Sequence, residues 1–242
     1  MPETLQGKNT QKASKVAQYG ITRMLSGLGF MAFWTALLFV SAGTVHWLRG
    51  WICAFSYIVI MLTVGVVVWR INPALLPARA KWRHSDTRGF DRIILPIYLP
   101  LTILQPAVGG LDAVRFRWSA MPFWTLHLGL AIFVMAIFLL TWVMAVNPWA
   151  ESTVRIQTDR GQQVVRTGPY RIVRHPMYVA MSFMYPSVGL ILGSWWALAV
   201  SGLMDALMVV RTALEDRTLR RELAGYENYT AHTRWRLIPG IW

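Results

Sequence analysis

Residues 121–146 read MPFWTLHLGLAIFVMAIFLLTWVMAV, a run without a single Asp, Glu, Lys or Arg. An α-helix rises about 1.5 Å per residue, so this run is long enough to cross the roughly 30 Å apolar core of a bilayer. Working outward, similar runs lie at 27–46, 51–69 and 92–110, the last with Pro96, Pro100 and Pro106 inside it. Three prolines predict a helix that is kinked, or one interrupted at membrane depth. A final apolar stretch, 177–210, is broken by Gly193-Ser194. It is too long for one crossing at about 20 residues per span. Two helices in a tight hairpin fit it. The expectation is an all-α, polytopic transmembrane protein of about six spans, or five if the last hairpin is re-entrant.

Composition agrees. The chain has 242 residues, 55% hydrophobic and 14% charged, where a soluble domain carries about 25% charge. Val40-Ser41-Ala42 has the form of a cleavage site, but the polar segment before it is long for a signal peptide, so the first span is read as uncleaved. The polar, basic residues 1–24 are expected to be mobile. The net charge of +13 does not point to nucleic acid, because the basic residues flank apolar runs and form no single stripe. Anionic headgroups or an anionic small molecule suit them better. With six spans, all of the 24 Lys and Arg residues except Arg49, Arg115 and Arg117 fall on one side. That bias places both termini in the cytoplasm. The one cysteine, Cys53, lies in an apolar run, and no Cys/His metal spacing occurs.

Between the fourth and fifth runs, residues 147–176 are polar. Val154-Arg155-Ile156-Gln157 and Gln162-Gln163-Val164-Val165 flank Thr158-Asp159-Arg160-Gly161. This alternation about an Asp/Gly turn predicts a small surface hairpin near 154–165.

Two constellations carry the chemistry. The first is Gly168-Pro169-Tyr170-Arg171-Ile172-Val173-Arg174-His175-Pro176-Met177-Tyr178. Pro176 suits the first position of a helix. Arg174 and His175 then stand at a helix N-terminus, where backbone N–H groups and the dipole favour an anion. A basic-aromatic membrane anchor is the plainer reading of the same residues. The second is Arg211-Thr212-Ala213-Leu214-Glu215-Asp216-Arg217, followed by Tyr226, Tyr229, Arg234, Arg236 and Pro239. Two adjacent acids near a helix C-terminus oppose the dipole and call for partners. Internal pairs at i,i+4, Arg211 with Glu215 and Asp216 with Arg220, are the plainer reading. Asp205 lies within the last apolar run, a place where an ionisable residue is a functional candidate.

Taken together, these two constellations, with Leu219, Gly225-Tyr226, Tyr229 and Arg236-Leu237-Ile238-Pro239, resemble the isoprenylcysteine carboxyl methyltransferase family, which is related to membrane methyltransferases acting on phospholipids and small thiols. The resemblance covers about residues 150–242. It departs from the family in Asp216, where a second Glu is usual, and in Ala180, often Gly. It implies S-adenosylmethionine as cofactor, S-adenosylhomocysteine as product, and a site at the cytoplasmic face. It places the cofactor at Tyr170, Arg174, His175, Pro176, Tyr178, Glu215, Asp216 and Tyr229, and catalysis at Arg174, Glu215 and Arg236. On this reading residues 1–146 hold the N-terminal tail and four helices, and 147–242 form the cofactor-binding catalytic region. The acceptor is expected to be a lipophilic or small molecule bearing a carboxylate, thiol or amine. Membrane lipids are expected partners, nucleic acid and metal are not, and the oligomeric state is not readable. A bacterial inner membrane suits the short chain better than an endoplasmic reticulum. Two alternatives are an NADPH-dependent sterol-type reductase and a non-enzymatic transporter or lipid-binding scaffold.

Overall fold

A computed structural model of the chain describes residues 25–80 and 84–242. The basic segment 1–24 expected to be mobile lies outside them. Eight α-helices follow in order: α1 (Leu25–Ala42), α2 (Leu48–Ile71), α3 (Leu75–Ala80), α4 (Gly89–Gly110), α5 (Trp124–Val146), α6 (Pro176–Leu192), α7 (Trp195–Glu222) and α8 (Tyr226–His232). No strand occurs among the described residues. Helices α1, α2, α4, α5 and α7 are long and apolar enough to cross a membrane, and α6 is a shorter apolar helix. Only 22–39% of the most apolar window of each long helix is buried inside the protein. The remaining apolar surface, such as Phe55, Leu62, Val134 and Phe138, faces outward all round, as lipid-facing helices do.

The helices close on one another through α2–α5, α5–α6, α6–α7 and α7–α4 contacts. Trp34 of α1 packs on Tyr57 of α2 and donates its indole N–H to the Thr102 carbonyl of α4 at 3.2 Å. That carbonyl is free because Pro106, four residues on, has no N–H to give. α4 therefore runs uninterrupted through all three prolines and ends in a π-helical turn, Leu111–Arg115. One of the freed carbonyls is satisfied from a neighbouring helix. The tightest approach is at Gly110 of α4, where a Cβ would sit 2.6 Å from the Leu38 carbonyl of α1.

The end of the bundle away from the 147–176 segment is fastened by two side chains. Arg49 of α2 donates to the Thr125 hydroxyl and to the Leu190 and Pro122 carbonyls, and lies over the Phe123 ring. Asp112, fully buried, accepts from Ser119, Ser194 and the Trp196 amide. Ser194 in turn caps α7 by accepting from the Ala197 amide at 2.9 Å.

The expected hairpin near 154–165 is not a pair of strands. A 3₁₀ turn (Thr158–Arg160) and the left-handed Gly161 reverse the chain, but the flanking backbone groups go elsewhere. The Val154 amide donates to the Asp91 carboxylate at 2.7 Å and its carbonyl accepts from the Arg88 amide. The Gln157 amide donates to the Gln162 side chain. With these groups taken, no ladder can form.

Candidate active site

Five pieces of chain meet at the 147–176 end: the 147–165 loop, the 3₁₀ turn Gly168–Arg171, the start of α6, the outer half of α7, and α8 with the tail behind it. They enclose a cleft of about 810 Å³ of non-protein space, its mouth included, lined among others by Tyr170, His175, Tyr178, Arg211, Glu215 and Tyr229.

Gly168 sets the entrance to the first motif. Its φ is +58°, and a Cβ there would lie 2.9 Å from the Trp142 indole nitrogen, so a side chain is excluded on both counts. Tyr170 follows. Its hydroxyl accepts from Asn147 Nδ2 at 2.5 Å, and its carbonyl accepts from the Tyr229 hydroxyl at 2.6 Å. Pro176 is the first residue of α6, as expected, with His175 as its N-cap. The His175 ring stacks on Tyr178 with centroids 5.8 Å apart. Burial pushes the Tyr170, Tyr226 and Tyr229 hydroxyls up, Tyr229 to about 12. All three stay neutral O–H donors at neutral pH.

The adjacent acids divide the work. Glu215 faces the cleft and accepts from the Tyr178 hydroxyl. Asp216 points the other way and is fully buried. Its carboxylate takes Nε and Nη2 of Arg174 at 2.7 and 3.1 Å, Nε of Arg236 at 2.9 Å, the Tyr226 hydroxyl at 3.0 Å, and lies 3.2 Å from Nε2 of His175 and 3.3 Å from Nε of Arg220. One carboxylate thus ties the start of α6, α7 and the C-terminal tail together. Arg174 also donates to the Thr233 and Arg234 carbonyls. The Arg174 and His175 amides bond the Trp235 and Arg236 carbonyls. Arg174 is 4% exposed, and its guanidinium is directed at protein partners. Arg236 lies over the Trp242 ring and is not among the cleft-lining residues.

Of the two i,i+4 pairs, Asp216–Arg220 forms. Arg211 does not pair with Glu215. Its fork grips Asp91 of α4 at 2.7 and 3.1 Å and donates to the Ser152 carbonyl. An isolated helix surface offered Glu215, but the buried, otherwise uncompensated Asp91 competes better for a planar guanidinium. Asp91 is a site-forming residue that sequence reasoning missed; its one signal was an acid at the head of an apolar run. Arg211 also lies over the Tyr178 ring, 5.4 Å from its centroid, and forms part of the cleft wall.

The loop over the cleft has its own centre. Arg155 is bound by Glu151 at 2.8 and 3.0 Å, by Asp159 at 2.7 Å and by Asp86 at 3.1 Å. Arg160 adds a 3.2 Å bond to Glu151 and a 2.8 Å bond to the Pro148 carbonyl. The sequence placed Arg155, Asp159 and Arg160 in a surface hairpin and did not name Glu151 or Asp86, the latter 69 positions from Arg155.

The comparison with curated proteins gives no match. Over residues 124–224, which hold α5, the loop, α6 and all of α7, the chain matches the phospholipid methyltransferase family, consistent with the resemblance carried by the two motifs and with a membrane methyltransferase.

Proposed function

We propose that the protein is an S-adenosylmethionine-dependent methyltransferase whose cleft opens at the cytoplasmic face, in a bacterial inner membrane, and that it methylates a lipophilic or small acceptor. The observation that carries this is the separation of Glu215 from Asp216. One acid is held out into an aromatic cleft while the other is neutralised inside the protein. Glu215 then suits the ammonium or ribose hydroxyls of the donor, and the Tyr170, Tyr178 and Tyr229 rings suit its adenine or its sulfonium. Arg211 in the cleft wall and the positive end of the α6 dipole suit the donor's carboxylate. Arg174, His175, Asp216 and Arg236 act as the frame that positions these groups, with Arg174 and His175 also reaching the cleft wall. The bound donor supplies an electrophilic methyl group, and the chain's own part is alignment in a site that the 147–165 loop shields from water. A carboxylate acceptor needs no base; an amine or thiol does. The family match over residues 124–224 supports this reading over a sterol-type reductase or a scaffold.

Calorimetric titration of the detergent-purified protein with S-adenosylhomocysteine and, separately, NADPH tests it. Binding of the first alone is expected. Glu215→Gln should weaken that binding about tenfold or more, the scale of a charge-assisted hydrogen bond, at unchanged melting temperature. NADPH binding in place of S-adenosylhomocysteine would replace the reading with a reductase.

A further inference from the structure

The apolar part of α7 holds one ionisable residue, Asp205. It lies ten residues from Trp195 and ten from Glu215, about 15 Å from each at 1.5 Å per residue. That is near the middle of a bilayer core. The side chain is half-buried. Its Oδ1 is buried and has no hydrogen-bond partner, while the Ser182 hydroxyl of α6 interacts with the carboxyl. Pro186 of the same helix has no N–H to give to the Ser182 carbonyl. The Asp205 Oδ1 therefore lacks a donor, in a medium with no water to supply one. Of the nearby tyrosines, Tyr98 donates its hydroxyl proton to the Tyr185 hydroxyl.

The place is open to lipid. Gly202 and Ala206, on the same side of α7, are exposed, and a Cβ on Gly202 would meet open space. Ser182 is one turn from Tyr178, whose hydroxyl reaches Glu215 in the cleft.

We propose that Asp205 and Ser182 form a lipid-side binding site for the N–H or O–H group of a lipophilic molecule. An amine donates to the carboxyl group and compensates its charge. An alcohol donates without compensating charge, an alkane does neither, and a fatty acid anion is repelled. Under the methyltransferase reading the site selects acceptors by a donor group near the bilayer centre. That role rests on the reading; the site itself does not.

The test uses the full chain in phosphatidylcholine nanodiscs and dicyclohexylcarbodiimide, an apolar reagent for carboxyl groups, with peptide mass spectrometry as readout. Asp205 should be labelled. Dodecylamine should cut that labelling about tenfold, the scale of one charge-assisted hydrogen bond, dodecanol less, and dodecane and dodecanoate not at all. Asp205→Asn should lose the label and keep the affinity for S-adenosylhomocysteine. No label at Asp205, an equal label in Asp205→Asn, or protection by dodecane equal to that by dodecylamine overturns the proposal. Protection by dodecylamine in a protein that binds no S-adenosylhomocysteine upholds the site and removes the methyltransferase reading.

Discussion

The two ends of the helix bundle are fastened by different chemistry. At the far end, Arg49 and Asp112 bind neutral groups: hydroxyls, carbonyls and an amide. At the cleft end, charge meets charge, in Asp216 with Arg174 and Arg236, Asp91 with Arg211, and Glu151 with Arg155. The far-end contacts join helices whose directions are already set by the bilayer. The cleft-end contacts join a loop, a helix start and a tail that no lipid orients. Such segments need strong, directional bonds to adopt one arrangement, and Asp216 and Asp91 there bridge segments far apart in sequence.

The sharpest way to break this comparison is Asp216→Asn. The change leaves Arg174 and Arg236 around a neutral amide and should cost about 3–5 kcal/mol, read from unfolding in detergent, with loss of S-adenosylhomocysteine binding. Wild-type stability would mean that the cleft end is not held by charge. Next comes Asp91→Asn, which strands buried Arg211 and should cost about 3 kcal/mol. The double variant with Arg211→Gln should recover part of that loss, and additive losses would show that the two do not act as a pair. Arg49→Gln should cost less, about 1–3 kcal/mol, and leave S-adenosylhomocysteine affinity unchanged; a weakened affinity would couple the two ends. The sequence alone made Arg49 a bystander on the far side. The structure makes it a fastening between α2, α5 and α6.

The smallest effect concerns pH. The bond from Arg155 holds the Asp159 carboxyl below the usual range. For Asp86 burial is the largest influence and works in the opposite direction, and the Arg155 bond, a backbone hydrogen bond and the nearby Arg155 and His84 charges together outweigh it. Both folded values lie below the unfolded ones. Their contribution is therefore complete above about pH 4 and is lost as the pH falls through the depressed values. Amide exchange in residues 150–162 should rise there before the helices respond. Simultaneous loosening of loop and helices would contradict a separately fastened lid.

How much was legible follows from where each interaction partner lies. Residues 121–146 announce a membrane helix because every neighbour relevant to that decision is lipid or the helix itself. The same holds for Pro176 at the head of α6, a purely local preference. The 154–165 alternation was misleading for the opposite reason: its amides and carbonyls are taken by Asp91, Arg88 and Gln162, two of them on or beside another helix.

The acid pair marks the boundary most clearly. Sequence alone determined that the chain crosses a membrane on apolar helices, that its basic residues flank the apolar runs, and that Glu215-Asp216 sits near a helix end with Arg174-His175 at another. Hydropathy, helix length and charge placement are properties of short segments, so they survive reading in one dimension. Only the tertiary structure decided that Glu215 turns to the cleft and Asp216 to the interior, and that Arg211 takes Asp91 rather than Glu215. Those choices depend on which buried charge would otherwise lack a partner, and that is known only once distant segments stand side by side.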